Sequence, residues 1–94
     1  MNMEINPSEY KILIVDDVMS NVLLLKVLLT NEKFAIATAN NGQQALEQVD
    51  KEHPDLVLLD VMMPDLCGFE VAQRLKSNPD TADIPIIFLT ALNS

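Results

Sequence analysis

Four short apolar runs recur along the chain, with helix-period or polar segments between them. The first, KILIV (Lys11 to Val15), is continuous rather than alternating, the mark of a strand buried on both faces. Phe34 to Ala39 reads as a second strand, closed by the turn residues Asn40-Asn41-Gly42. Leu56 to Leu59 and Ile86 to Thr90 read as a third and a fourth. Between them, NVLLLKVLLTNE (Asn21 to Glu32) is helical and apolar nearly all the way round, with Asp17 or Ser20 available as its N-cap. Gln43 to about Lys51 is an amphipathic helix carrying Ala45, Leu46 and Val49, and Pro54 ends it. Phe69 to about Ser77 is a third helix, with Phe69, Ala72 and Leu75 expected inward. His53 is expected to be a solvated residue at a helix end. Residues 1–9 form a polar lead-in, and 10–94 make up the domain.

Strict alternation of strand and helix at these spacings implies right-handed crossovers and a parallel sheet covered on both faces. The fold class is α/β, doubly wound. Ligands in such sheets bind beyond the carboxyl ends of the strands, where the strand order reverses.

Composition narrows the function classes. The chain's 94 residues make one domain. The net charge of −8 argues against direct nucleic-acid binding, which rests largely on neutralising phosphates. No apolar run approaches the roughly 18 residues of a membrane span, and MNMEINPSEYK lacks the basic start and apolar centre of a signal peptide. A lone cysteine, Cys67, excludes an intramolecular disulfide, and cytoplasm is the expected compartment.

Three of the four strands end in groups that carry chemistry: Asp16-Asp17, Asp60 and Thr90. If the first and third strands are neighbours, three carboxylates crowd one crevice and repel one another unless a cation compensates. A small pocket of hard oxygens suits Mg²⁺. Beside that ion an aspartate can act as a nucleophile toward phosphorus, and the Thr90 hydroxyl can donate to a phosphoryl oxygen. Any one strand-end aspartate is an ordinary helix cap. Three of them with a threonine are not explained by capping.

ILIVDD, PDLVLLDVMMPDLCGFE and IPIIFLTA together resemble the receiver domain of bacterial two-component response regulators, over about residues 10 to 94. The resemblance implies a flavodoxin-like strand order 2-1-3-4 and a signalling module rather than an enzyme. It implies a phosphoacceptor at Asp60, with Asp17 as a direct Mg²⁺ ligand and Asp16 acting directly or through water. The backbone carbonyl of Met62 becomes the third protein ligand. Thr90 becomes the switch residue that closes on the phosphoryl group, and the small Ala91 leaves that group accessible. Pro64 and Gly68 match the family's loop after the phosphorylated strand. The implied partners are a sensor histidine kinase or a phosphotransfer protein in a phosphorelay, with an output domain outside this chain.

Two departures stand out. Cys67 occupies a position more often aspartate in the family, and it reads as a neutral loop substitution. A complete receiver also continues through a fifth strand and two further helices, and that strand carries a lysine for the phosphoryl group. No lysine here holds that place, so the chain reads as a receiver truncated after its fourth strand. A stripe from Val22, Leu23, Val27 and Leu29 on the first helix, and the fourth-strand edge, are then expected to be exposed and to promote self-association. The alternative function is a dimerisation or docking module that is never phosphorylated. A phosphatase of similar fold would need aspartates two apart rather than adjacent. A flavin or nucleotide site would need a donor-rich loop where DDVMSN presents two negative charges.

Overall fold

The computed structural model describes residues 6–89. The apolar runs become β1 (Lys11–Val15), β2 (Ala35–Ala39), β3 (Leu56–Asp60) and β4 (Ile86–Leu89). They form one parallel sheet in the order β2-β1-β3-β4, as the doubly wound reading requires. The helices are α1 (Met19–Asn31), α2 (Gly42–Glu52) and α3 (Gly68–Ser77). Within the expected lead-in, Pro7–Glu9 make a short 3-10 turn, started by Asn6, whose side chain accepts the Ser8 N–H at 3.1 Å.

Alternation along the strands sorts the interior into two layers. Leu13, Val15, Val57 and Leu59 face α2 and α3, meeting Ala45, Val49, Val71 and Leu75. Ile12, Ile14 and Leu58 face α1 through Val22, with Leu25 and Leu29 partly buried beside them. Both faces of β1 and β3 are therefore dry, which explains runs that never alternate with polar residues. The register pairs Val15 with both Ala39 and Leu59, so β1, β2 and β3 run out at one edge of the sheet.

The structure corrects three local expectations. The N-cap of α1 is Val18, not Asp17 or Ser20, and it makes no side-chain cap bond. The preceding turn is instead closed by the Asp16 carboxylate, which accepts the Val18 N–H at 2.9 Å, and Ser20 falls inside the helix. On α3 the fully buried residue is Val71, while Phe69 is 59% exposed and lays its ring against Phe88 of β4 at 4.9 Å between centroids. On α1, Val22 and Leu29 belong to the sheet-facing stripe with Leu25. The exposed apolar face is Leu23, Leu24, Val27 and Leu28, each more than half exposed. Steps of three and four residues place these two sets on different sides of one cylinder. His53 matches its reading: it is exposed and closes α2 in the left-handed region at φ 48°.

Candidate functional site

The site is assembled by strand order. β1 and β3 are hydrogen-bonded neighbours, so the residues that follow Val15 and Leu59 emerge side by side. Carboxylate oxygens of Asp16, Asp17 and Asp60 all lie within 4.8 Å of one another. Asp16 and Asp60 are buried, at 4% and 8% exposure, whereas Asp17 is exposed at the mouth.

Each carboxylate is held differently. Both oxygens of Asp16 are engaged: Oδ1 by the Val18 N–H and Oδ2 by the Asn21 side-chain amide at 3.1 Å. Asp60 Oδ1 accepts the Met62 N–H at 3.3 Å. Burial is the main cause that pushes the Asp60 carboxyl above the ordinary aspartate range; the Met62 N–H opposes it, and Asp16 and Asp17 push it further up.

The loop that follows Asp60 is fastened at several points. Gly68 N–H donates to the Val61 carbonyl at 2.8 Å, closing the loop at its feet. A side chain on Gly68 would run into the Asp60 carbonyl oxygen, so only glycine lets α3 start this close to β3. Met63 is buried in the core between these feet. The Asp65 carboxylate reaches α2, accepting the Gly42 N–H at 2.9 Å and the Gln43 N–H at 3.0 Å. These backbone donors hold the Asp65 carboxyl below the usual range.

Among the described residues, no basic side chain is placed to neutralise the three aspartates. Lys11 opens β1 and pairs with Glu52 at 2.7 Å, while Lys33 precedes β2 and Lys51 and Lys76 lie in the last turns of α2 and α3. All of these sit at the sheet edge opposite the strand carboxyl ends. Arg74 pairs with Glu70 on α3, and Lys26 lies along α1. An all-oxygen donor set, part buried and without a facing side-chain cation, fits a hard divalent ion such as Mg²⁺.

The expected cluster of Asp16, Asp17 and Asp60 is thus brought together, with the Met62 peptide beside it. Thr90 and Ala91 lie outside the described residues. Sequence reading missed the Asn21 contact and the Asp65 bridge, whose partners are five residues and 22 to 23 residues distant. An acidic residue after Pro64 is no signal by itself for a partner that remote.

The family model described as "Response regulator receiver domain" matches residues 12–94. Response regulator PleD of Caulobacter vibrioides is 46% identical over 83 residues, covering 88% of this chain and 18% of PleD. Alkaline phosphatase synthesis transcriptional regulatory protein PhoP of Bacillus subtilis is 43% identical over 81 residues, covering 86% of this chain and 33% of PhoP. This chain therefore spans well under half the length of either relative. Among solved structures, the N-terminal domain of a response regulator receiver protein from Methanoculleus marisnigri is 40% identical at TM-score 0.86, covering 90% of this chain and 69% of that one. Response regulator TrrA from Thermotoga maritima, in complex with Mg²⁺-BeF, is 40% identical at TM-score 0.81, with coverage of 89% and 71%. With the strand order, the acidic cluster and the family match in agreement, this chain belongs to the response regulator receiver domains of two-component signalling.

Proposed function

We propose that this receiver accepts a phosphoryl group on Asp60 from a histidine kinase or a phosphotransfer protein, with Mg²⁺ as cofactor. The observation that carries the reading is the convergence of Asp16, Asp17 and Asp60 at adjacent strand ends, with no facing basic side chain among the described residues. Asp60 Oδ1 is held by the Met62 N–H, which leaves Oδ2 to attack phosphorus. A new P–O bond forms as the P–N bond to the donor imidazole breaks, and the imidazole leaves as its own neutral base after taking a proton. Asp17 and Asp60, with the Met62 carbonyl, would hold the ion directly. Asp16, both of whose oxygens are already engaged, would act through a remaining lone pair or through water. When bound, the ion supplies positive charge to the transferring phosphoryl oxygens and to the crowded carboxylates. TrrA, in complex with Mg²⁺-BeF, supports that requirement. Thr90 would close on the phosphoryl group and Ala91 would leave room for it.

The reading extends to a signalling module, not an enzyme, working in the cytoplasm with an output domain elsewhere in the protein. The name of PhoP, a transcriptional regulatory protein, illustrates one such output. Among the described residues no helix is long and apolar enough to cross a membrane. Self-association through α1 or the β4 edge is supported by the exposed Leu24, Val27 and Ile87.

Incubation with acetyl phosphate tests the acceptor. Labelling is expected only with Mg²⁺ present and is expected to vanish in Asp60→Asn; label that persists in that variant overturns the assignment. Thermal stability separates this reading from docking without phosphorylation. Millimolar Mg²⁺ should raise the melting temperature only if the acidic site binds the ion.

A further inference from the structure

We infer that Asp65 is a positioning residue for the acceptor: its carboxylate ties the β3–α3 loop to the first turn of α2 and so fixes the Met62 peptide beside Asp60. The inference rests on the proposed role of Asp60 and names a second element, α2, on which that role depends.

Residues 61–67 carry Met62, whose N–H donates to the Asp60 carboxylate and whose carbonyl, on the next peptide group, is the proposed ligand. The feet of the loop are tied by Gly68 N–H to the Val61 carbonyl. Met62 itself is 73% exposed, so its side chain does little to hold the peptide still. The distal half is held by two contacts that both run to Gly42. The Asp65 carboxylate spans the Gly42 and Gln43 N–H groups, two of the donors that a helix leaves unpaired at its start. Leu66 packs so closely on Gly42 that a Cβ there would lie 2.5 Å from its own Cβ. A carboxylate at a helix N-terminus also gains from the helix dipole.

Capping of α2 does not by itself require Asp65. The Asn41 side chain already caps the helix by accepting the Gln44 N–H at 2.8 Å, in the usual N-cap manner. Asp65 therefore adds a bond between two elements rather than the sole cap of one. The two caps allow helix stability to be separated from loop position.

The experiment compares Asp65→Ala, Asp65→Asn and Asn41→Ala with the wild-type chain. It measures Mg²⁺ affinity by titration, the rate of labelling by acetyl phosphate, and amide hydrogen exchange. Asp65→Ala is expected to weaken Mg²⁺ binding and slow labelling about tenfold, on the scale of a lost charged cap. It should speed exchange at Met62 and Gly68 as well as at Gly42 and Gln43. Asp65→Asn, which keeps an accepting oxygen, should recover part of each loss. Asn41→Ala should speed exchange within α2 while leaving Mg²⁺ affinity and labelling within about twofold of wild type. The inference is overturned if Asp65→Ala disturbs only Gly42 and Gln43, or if Asn41→Ala weakens Mg²⁺ binding as much as Asp65→Ala does. If Asp65→Ala does not fold, the same comparisons made with Asp65→Asn decide it. If the wild-type chain neither binds Mg²⁺ nor takes label, the function reading fails, and exchange at Met62 and Gly68 still decides whether Asp65 holds the loop.

Discussion

Asp60 is strained by its own placement. Its carboxyl is raised chiefly by burial, with two neighbouring aspartates adding to the effect. A carboxyl whose folded pKa lies above its unfolded value favours the folded state while protonated, and that contribution is lost as pH rises through the folded pKa. Without metal, Asp60 in its ionised form therefore weakens the fold. Asp60→Asn is expected to melt a few degrees above wild type at pH 7 without Mg²⁺. The gap should close as pH falls below the raised Asp60 value, and Mg²⁺ should stabilise wild type but not the variant. Melting curves across pH, with and without Mg²⁺, check each part; an Asp60→Asn protein less stable than wild type in metal-free buffer at pH 7 would contradict it.

At the scale of elements, the β3–α3 connection sets how closely the helix approaches the acceptor strand. Gly68→Ala adds a methyl directed at the Asp60 backbone, which has little freedom to move. The expected cost is about 1–3 kcal/mol, larger than the helix propensity that alanine gains, with loss of Mg²⁺ affinity besides. Denaturant unfolding and a Mg²⁺ titration measure the two effects. Strands β1 and β3 were legible because burial on both faces leaves a continuous apolar run that no amphipathic helix of that length would show. The acidic cluster was legible because carboxylates at the ends of such runs must emerge together once the strands are neighbours. On α3, Leu75 is buried and Ala72 packs against the core as expected, but Phe69, the larger apolar residue, was misplaced and Val71, four before Leu75, takes the inward place. The start of α1 was misread because Asp16 closes the turn ahead of the helix and leaves Val18 at the cap. On α1, nearly continuous hydrophobicity hid which stripe met the sheet. Three-dimensional packing decided these cases, and local pattern carries little of it.

At the scale of the molecule, two elements carry groups of exposed apolar residues, besides single ones such as Tyr10 and Met62. Leu23, Leu24, Val27 and Leu28 lie on α1, and Ile87 and Phe88 on β4, at the end of the sheet order. Such surface promotes association, but each chain carries a net charge of −8 that opposes it. Association is expected to strengthen as salt is raised from about 0.01 to 0.15 M, because screening relieves the repulsion and leaves apolar contact intact. Val27→Glu or Ile87→Lys should shift the population toward monomer. Sedimentation velocity at two salt concentrations checks this, and a monomer at every concentration and ionic strength would refute it.

The Phe69–Phe88 contact also bears on how this molecule can be watched. The chain has no tryptophan, and its one tyrosine, Tyr10, precedes β1 at the edge remote from the acidic cluster. Its native fluorescence is accordingly almost blind to events at Asp60. Phe69 directly follows the glycine that abuts the Asp60 carbonyl, and its ring is half open to water. Phe69→Trp would install a single indole there, with emission expected to change on Mg²⁺ addition and to stay constant when Asp60→Asn is also present. A ring that packs on an edge strand thus becomes an optical gauge of the chemistry on the neighbouring strand.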